Sequence, residues 1–224
     1  MIKNLIGCLV RFIGNKELIT IEIQDLLETK GLLDSGLTLF DAFCGTGAVA
    51  DFFKDSLNIV INDMIKWSVV YAKGRINSSC CKFDKLGFDP FEYLNSTLKI
   101  KKGFFYNSYS PENSERMYFT ARNAGRIDFF REEIENWKIK QLIDDNEYSY
   151  LLASLIQSIS YVSNTAGVYG AYLKYWDSRA KKEIVLKAVE AKSAQPLSSK
   201  YYNDKIEDII ETVDCDILYL DPPY

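Results

Sequence analysis

Leu37-Thr38-Leu39-Phe40-Asp41-Ala42-Phe43-Cys44-Gly45-Thr46-Gly47 is the stretch on which the fold of this chain turns. Residues 37–43 form a short apolar run rich in strand formers. The glycine turn follows, and Ala48 to Lys54 suits a helix. Outward toward the C-terminus, Leu57 to Ile61 (LNIVI) reads as the next strand and ends in Asn62-Asp63; Met64 to Arg75 reads as a helix. Strand, helix, strand, helix implies a parallel, doubly wound α/β sheet. Outward toward the N-terminus, Glu17 to Lys30 is expected to be an amphipathic helix with Leu18, Ile21, Leu26 and Leu27 as its buried stripe, stopped at Gly31. Met1 to Val10 is apolar but short, is followed by Arg11 and Lys16, and has no signal-peptide cleavage pattern. It is expected to be a strand or loop leading into that helix.

Beyond about Gly87 the alternation stops. Ile127 to Lys140, Tyr148 to Val162 and Lys181 to Val189 look helical, separated by polar, glycine-bearing stretches at Asn107 to Asn113 and Ser163 to Gly170. The sheet pattern returns at Cys215 to Leu220 (CDILYL), which runs into Asp221-Pro222-Pro223-Tyr224. The expected organisation is therefore a core of residues 1–86 and 196–224 interrupted by a mostly helical subdomain at 87–195.

Composition bounds the function. The chain has 224 residues, 47% of them hydrophobic, with 15 Tyr, 13 Phe and 3 Trp, and a formal net charge of -4. A protein that only coats nucleic acid is usually basic, whereas an enzyme that meets DNA through a local patch need not be. There is no histidine, which removes imidazole acid–base chemistry, and the 5 cysteines have no zinc or disulfide spacing. No metal and no membrane span is expected, and reduced cysteines fit a cytoplasmic setting.

Three groups of residues carry chemistry. Gly45 and Gly47 let backbone approach a ligand at a helix N-terminus, although a glycine turn after a strand is also common structure. Asp63, ending the second strand, stands where doubly wound folds grip a ribose, or is a turn residue. The GxGxxG fingerprint is only partial, because Ala50 follows Gly45 and Gly47, so a nucleoside without a pyrophosphate suits the site at least as well. Asp221-Pro222-Pro223-Tyr224 is the most informative group. Prolines end the strand and fix a carboxylate and a carbonyl at the sheet edge where ligands bind. Such an acceptor pair hydrogen-bonds both protons of a planar exocyclic amine and aims its lone pair at a methyl donor. An adjacent Tyr224 suits stacking on an extruded base. A chance occurrence in a loop is the bland alternative.

The order Arg11-Phe12-Ile13-Gly14-Asn15-Lys16, then FDAFCGTG (40–47), then Asn62-Asp63, then DPPY (221–224) resembles the Dam-like N6-adenine DNA methyltransferases, among them the modification enzymes of restriction systems. The resemblance implies a Rossmann-like core that binds S-adenosylmethionine, with an inserted target-recognition region, double-stranded DNA as substrate and a flipped adenine. Carried over by position, it implies cofactor binding by Phe12, Lys16, Asp41, Phe43, Gly45, Gly47 and Asp63, with Lys16 near the cofactor's carboxylate. Asp204, next to Asn203, matches loosely a contact to the cofactor's adenine. Asp221, Pro222, Pro223 and Tyr224 match the catalytic loop. Lys16 as a solvated helix-start lysine remains the structural alternative.

In the helical insertion Arg116, Arg122, Asn123, Arg126 and Arg131 cluster, and Arg122, Asn123 and Arg126 are candidates to hold phosphates or read bases; a solvated helix face is the alternative. Asn164 to Lys174 (NTAGVYGAYLK), with Asn164, Tyr169 and Lys174, resembles the family's DNA-facing loop. The family continues past its DPPY motif, so the chain is expected to be a fragment, a split product or a truncation, inactive or unstable alone. Possible partners are a complementing C-terminal fragment and a cognate restriction endonuclease. Two other functions fit the same residues: a DNA-binding half without activity, and an amino-methyltransferase for cytosine N4 or RNA.

Overall fold

The computed structural model describes residues 16–166 and 170–222. Among these, a 3-10 turn at Glu17–Ile19 leads into α1 (Thr20–Thr29), then β1 (Thr38–Asp41), α2 (Ala48–Phe53), β2 (Asn58–Asn62) and α3 (Lys66–Ile76). Next come α4 (Pro90–Ser96), α5 (Phe104–Tyr109), α6 (Ala121–Ile139) and α7 (Asp145–Val162). The chain then runs through β3 (Ser199–Tyr202), α8 (Ile206–Ile209) and β4 (Ile217–Tyr219). It divides into two compact units. One is Lys82–Val189; the other joins the described residues up to Cys81 with those from Glu190 onward.

The four strands lie in one sheet in the order β3-β2-β1-β4, and every pairing is parallel. This is the α/β, Rossmann-like arrangement that the strand–turn–helix stretch predicts. β1 and β2 are buried on both faces because successive side chains point to opposite sides. Leu39, Ile59 and Ile61 pack with Val49, Ala50, Phe53, Ala72 and Ile76 from α2 and α3. Phe40, Ala42 and Val60 pack on the other face with Ile209 of α8. The chain moves from β1 to β2 to β3 in one direction, and β4 then joins β1 on the opposite side. The crevice between the C-terminal ends of β1 and β4 is thus a topological switch point, where open α/β sheets bind ligands.

A buried charge network fastens this unit. Asp51 on α2 accepts Arg75 Nε at 3.0 Å and lies 2.9 Å from Lys54 Nζ, while Arg75 Nη1 continues to Glu17 Oε1 at 2.8 Å. Lys54 is fully buried and also donates to the carbonyl of Ile76, and the backbone N–H of Lys192 donates to Asp51. Buried charges survive only when paired in this way. The network leaves no mark in the sequence, because Asp51 and Lys54 look like the solvent side of a helix.

Several expectations about elements require correction. In α1 the buried face is Thr20, Ile23 and Leu27, with Leu18, Ile21 and Leu26 exposed; the 20-23-27 spacing is the one that meets the sheet. Lys181 to Val189, expected as a helix, is an extended segment whose Ile184, Leu186 and Val189 are buried. Its backbone is satisfied by side chains instead of by a helix: Ile184 N–H donates to Asn123, Leu186 to Asn95, Lys187 to Ser158 and Val189 to Ser154. β3 (SKYY) was not expected; it is polar and half exposed at the sheet's edge. No helix among the described residues is long and apolar enough to cross a membrane.

Candidate active site

The site is built on the C-terminal ends of β1, β2 and β4. β1 stops at Asp41, and the chain turns through Cys44 to Gly47 into α2. Gly47 has φ +68°, and a β-carbon there would lie 2.6 Å from that of Ala72 and 3.0 Å from its Cα, so only glycine fits. Gly45 is also left-handed, with φ +51°. Asp63, directly after β2, holds this turn: its Oδ2 accepts the N–H of Gly45 at 3.0 Å and its Oδ1 the N–H of Ile65 at 2.8 Å. Each carboxylate oxygen has two lone pairs, so Asp63 keeps acceptor capacity for a further donor pair. Asn62 ties the neighbouring loop down, donating to the carbonyls of Ala42 and Asp204 and accepting the N–H of Asp204. Asn203 donates to the carbonyls of Asp63 and Met64. The Asn203-Asp204 pair is thereby brought beside Asp63. Met64 and Ile65 form an exposed apolar lip next to it, at 69% and 48% exposure. The Asn62-Asp63 motif gives no sign of the tethering role of Asn62, which ends β2, and the lip has no sequence signal beyond its place after that strand.

Asp41 lies at the bottom of the crevice, 2% exposed. One oxygen accepts the N–H of Phe43, while Oδ1 is buried with no hydrogen-bond partner among the described residues. Burial, which penalises the charged form, pushes its pKa up to about 7; Asp221 and Asp63 add to the rise and the Phe43 N–H opposes it. Burial likewise pushes the Cys44 thiol well up, helped by Asp41 and Asp63, so Cys44 is no thiolate nucleophile. Phe43 is half-buried and packs against the Phe40 cluster.

Asp221 follows β4 on the other side of the crevice, its side chain 30% exposed, with Lys16 Nζ 3.0 Å from its Oδ2. Pro222 beside it is exposed. Thus Lys16, Asp41, Phe43, Gly45, Gly47, Asp63, Asp204, Asp221 and Pro222 all belong to one compact unit and converge on one sheet edge. Phe12, Tyr169, Pro223 and Tyr224, with the Met1 to Val10 segment, lie outside the described residues.

In the Lys82–Val189 unit the candidates part ways. Asn123, 2% exposed, donates to the carbonyls of Ala180 and Lys182 and accepts the N–H of Ile184. Arg126, 7% exposed, donates to the carbonyls of Leu94, Thr97 and Lys99 and lies over the Phe130 ring. Asn164, fully buried, donates to the carbonyls of Met117, Leu173 and Tyr175 and accepts the N–H of Asp177. These side chains spend their polar atoms on the backbone of their own unit. Arg122, paired with Glu183 at 2.7 Å, and Lys174 are exposed.

A switch-point crevice with a glycine turn, a strand-end acid and a second acid across the sheet is the arrangement in which α/β proteins hold ligands. The family is more specific. The model of the D12 class N6 adenine-specific DNA methyltransferases matches residues 12–224, and the chain belongs to this family. It is 40% identical over 223 residues to the Type II methyltransferase M.FokI of Planomicrobium okeanokoites, a match covering 96% of this chain and 34% of that protein. It is 38% identical to the modification methylase LlaI of Lactococcus lactis subsp. lactis, covering 96% of this chain and 36% of that protein. The Type II methyltransferase M.NlaIII of Neisseria lactamica is 35% identical, with 96% and 64% covered. The chain thus spans about a third of the length of the first two relatives. No solved structure matches significantly.

Proposed function

We propose that this chain carries the methyl-transfer site of a site-specific DNA adenine methyltransferase that uses S-adenosylmethionine and acts on N6 of an adenine turned out of the duplex. The observation that carries the reading is the placement of Asp221, Asp41, Asp63 and the Gly45–Gly47 turn around one switch-point crevice in a chain of the D12 family.

The residues fit the cofactor. An amino acid ammonium and a sulfonium need negative surroundings, and Asp41 offers a buried oxygen, unpartnered among the described residues, in a crevice that also holds Asp63 and Asp221. Lys16 would take the carboxylate, Asp63 the ribose diol, and Met64 with Ile65 a face of the adenine ring. S-adenosylmethionine supplies an electrophilic methyl group when bound. Asp221 and the Pro222 carbonyl accept the two protons of the adenine amine, which turns the nitrogen lone pair out of conjugation and aims it into the crevice. As the amine is methylated, it sheds one proton, and Asp221 is the acceptor nearest to it. Tyr224, two residues on in the sequence, is the stacking partner for the extruded ring.

The Lys82–Val189 unit is the proposed target-recognition region, with Arg122, Lys174 and Tyr169 as its DNA-facing residues. The Arg122–Glu183 pair is more than half exposed, so exchanging Glu183 for a phosphate costs little. The names of the relatives, modification methylases among them, support a restriction–modification setting inside the cell with a cognate endonuclease.

The test is transfer of tritiated methyl from S-adenosylmethionine to unmethylated genomic DNA, followed by nucleoside separation. The expected label is in N6-methyladenine and disappears with Asp221→Ala. Label in N4-methylcytosine would reassign the substrate. No label from the intact protein would reject the catalytic reading and leave a DNA-binding half.

A further inference from the structure

The ion pair that crosses the crevice joins two residues that the proposed reaction needs separately. Lys16 Nζ is 3.0 Å from Asp221 Oδ2, yet Asp221 must present its lone pairs to an amine. While Lys16 occupies that carboxylate, an incoming base competes with a full positive charge. A positive charge on one oxygen weakens the carboxylate as an acceptor, so the reaction gains if Lys16 is drawn away, provided the crevice's charge stays balanced, because Asp63 and Asp221 both repel Asp41 there.

We propose that Lys16 is a positioning residue shared between the two substrates: it holds Asp221 in the free protein and passes to the carboxylate of the cofactor, so that cofactor binding uncovers Asp221 for the adenine amine. This rests on the methyl-transfer reading above. Three features make the exchange feasible. Both side chains are partly open, at 25% and 30% exposure, so the pair is weak enough to trade. The backbone next to Lys16 is fixed, because Glu17 is anchored through Arg75 to buried Asp51, while the lysine side chain has four flexible carbons. The ammonium and sulfonium of the cofactor bring positive charge as Lys16 leaves, so the three carboxylates keep a counterion. The consequence is an order: cofactor first, productive base placement second.

The test needs no DNA. S-adenosylhomocysteine keeps the carboxylate, and 5′-methylthioadenosine lacks it. Their affinities are measured calorimetrically with the intact protein, with Asp221→Ala, with Lys16→Met and with the double variant; Asp221→Asn serves if the alanine variant does not fold. Releasing Lys16 by Asp221→Ala is expected to tighten S-adenosylhomocysteine about two- to fivefold and leave methylthioadenosine unchanged. Lys16→Met is expected to weaken S-adenosylhomocysteine about tenfold or more and to abolish the effect of Asp221→Ala. A merely structural Lys16 would move both ligands alike. Equal tightening of both ligands, or tightening that persists without Lys16, overturns the proposal. If S-adenosylhomocysteine binds and the cycle is flat, only the role of Lys16 falls; if neither ligand binds the unmodified protein, the methyl-transfer reading falls with it.

Discussion

The strand-end crevice and the helical unit contain the same kinds of side chain and use them in opposite ways. In Lys82–Val189, Asn95, Asn123, Arg126 and Asn164 are tied to backbone donors and acceptors. Of these, Asn95 and Asn123 replace part of the ladder that the extended segment before Val189 lacks. At the crevice, Asp41 is as deeply buried as Asn123, but one of its oxygens has no partner among the described residues. Asp63 and Asp221 stand near it, although like charges disfavour the arrangement. Burial of a polar residue therefore does not mark function. Asp41 stands out because its unmet oxygen lies at a strand-end crevice where ligands bind, whereas Ser68 Oγ and Arg179 Nε are unmet without that setting.

The largest effect should separate chemistry from fold at the crevice. Asp221→Ala is expected to lower turnover by about a thousandfold, on the order of 4 kcal/mol of transition-state stabilisation, with the melting temperature nearly unchanged. A large drop in melting temperature would show Asp221 to be structural. Next, Asn164→Ala should cost about 3 to 4 kcal/mol, because it leaves several buried backbone groups unpaired. Thermal melting reads this directly, and a neutral result would return Asn164 to the DNA-facing candidates.

Asp41 sharpens the contrast with a pH sign. With its pKa pushed up to about 7, the folded protein keeps a proton above pH 4 that the unfolded chain has released. Stability therefore falls as pH rises from about 4 to 7 and levels off above. Asp41→Asn removes that penalty, and it is expected to raise stability at pH 8 by about 4 kcal/mol and to give nothing at pH 4. Melting curves at the two pH values check it; a gain independent of pH would rule out burial of the charge as the cause. The smallest effect belongs to Arg122→Ala. Stability should shift by less than about 0.5 kcal/mol, while the slope of DNA affinity against salt falls by about one.

The parallel core was legible because β1 and β2 are short apolar runs punctuated by glycine and aspartate, and the signal survives without context. So were the crevice residues, since Asp41, Asp63 and Asp221 each sit at or just past the end of a strand. What escaped was whatever depends on a neighbour distant in sequence. β3 is a strand only because β2 offers it an edge. Residues 183–189 are extended only because Asn95, Asn123, Ser154 and Ser158 hold them. Arg126 resembles a phosphate-binding arginine until its carbonyl partners are seen. The Asp51–Arg75–Glu17 chain joins three separate helical segments, and no spacing rule finds it.

Hydrogen exchange with and without S-adenosylhomocysteine tests the contrast between the two regions most directly, because it reads both in one experiment. The predicted result is new protection of the amides at residues 43–48 and 63–65, the loops beside the unpartnered Asp41 oxygen, and no change at 121–126 or 163–166, where Asn123, Arg126 and Asn164 are already satisfied. Protection confined to the helical unit, or none at the glycine turn, would contradict it.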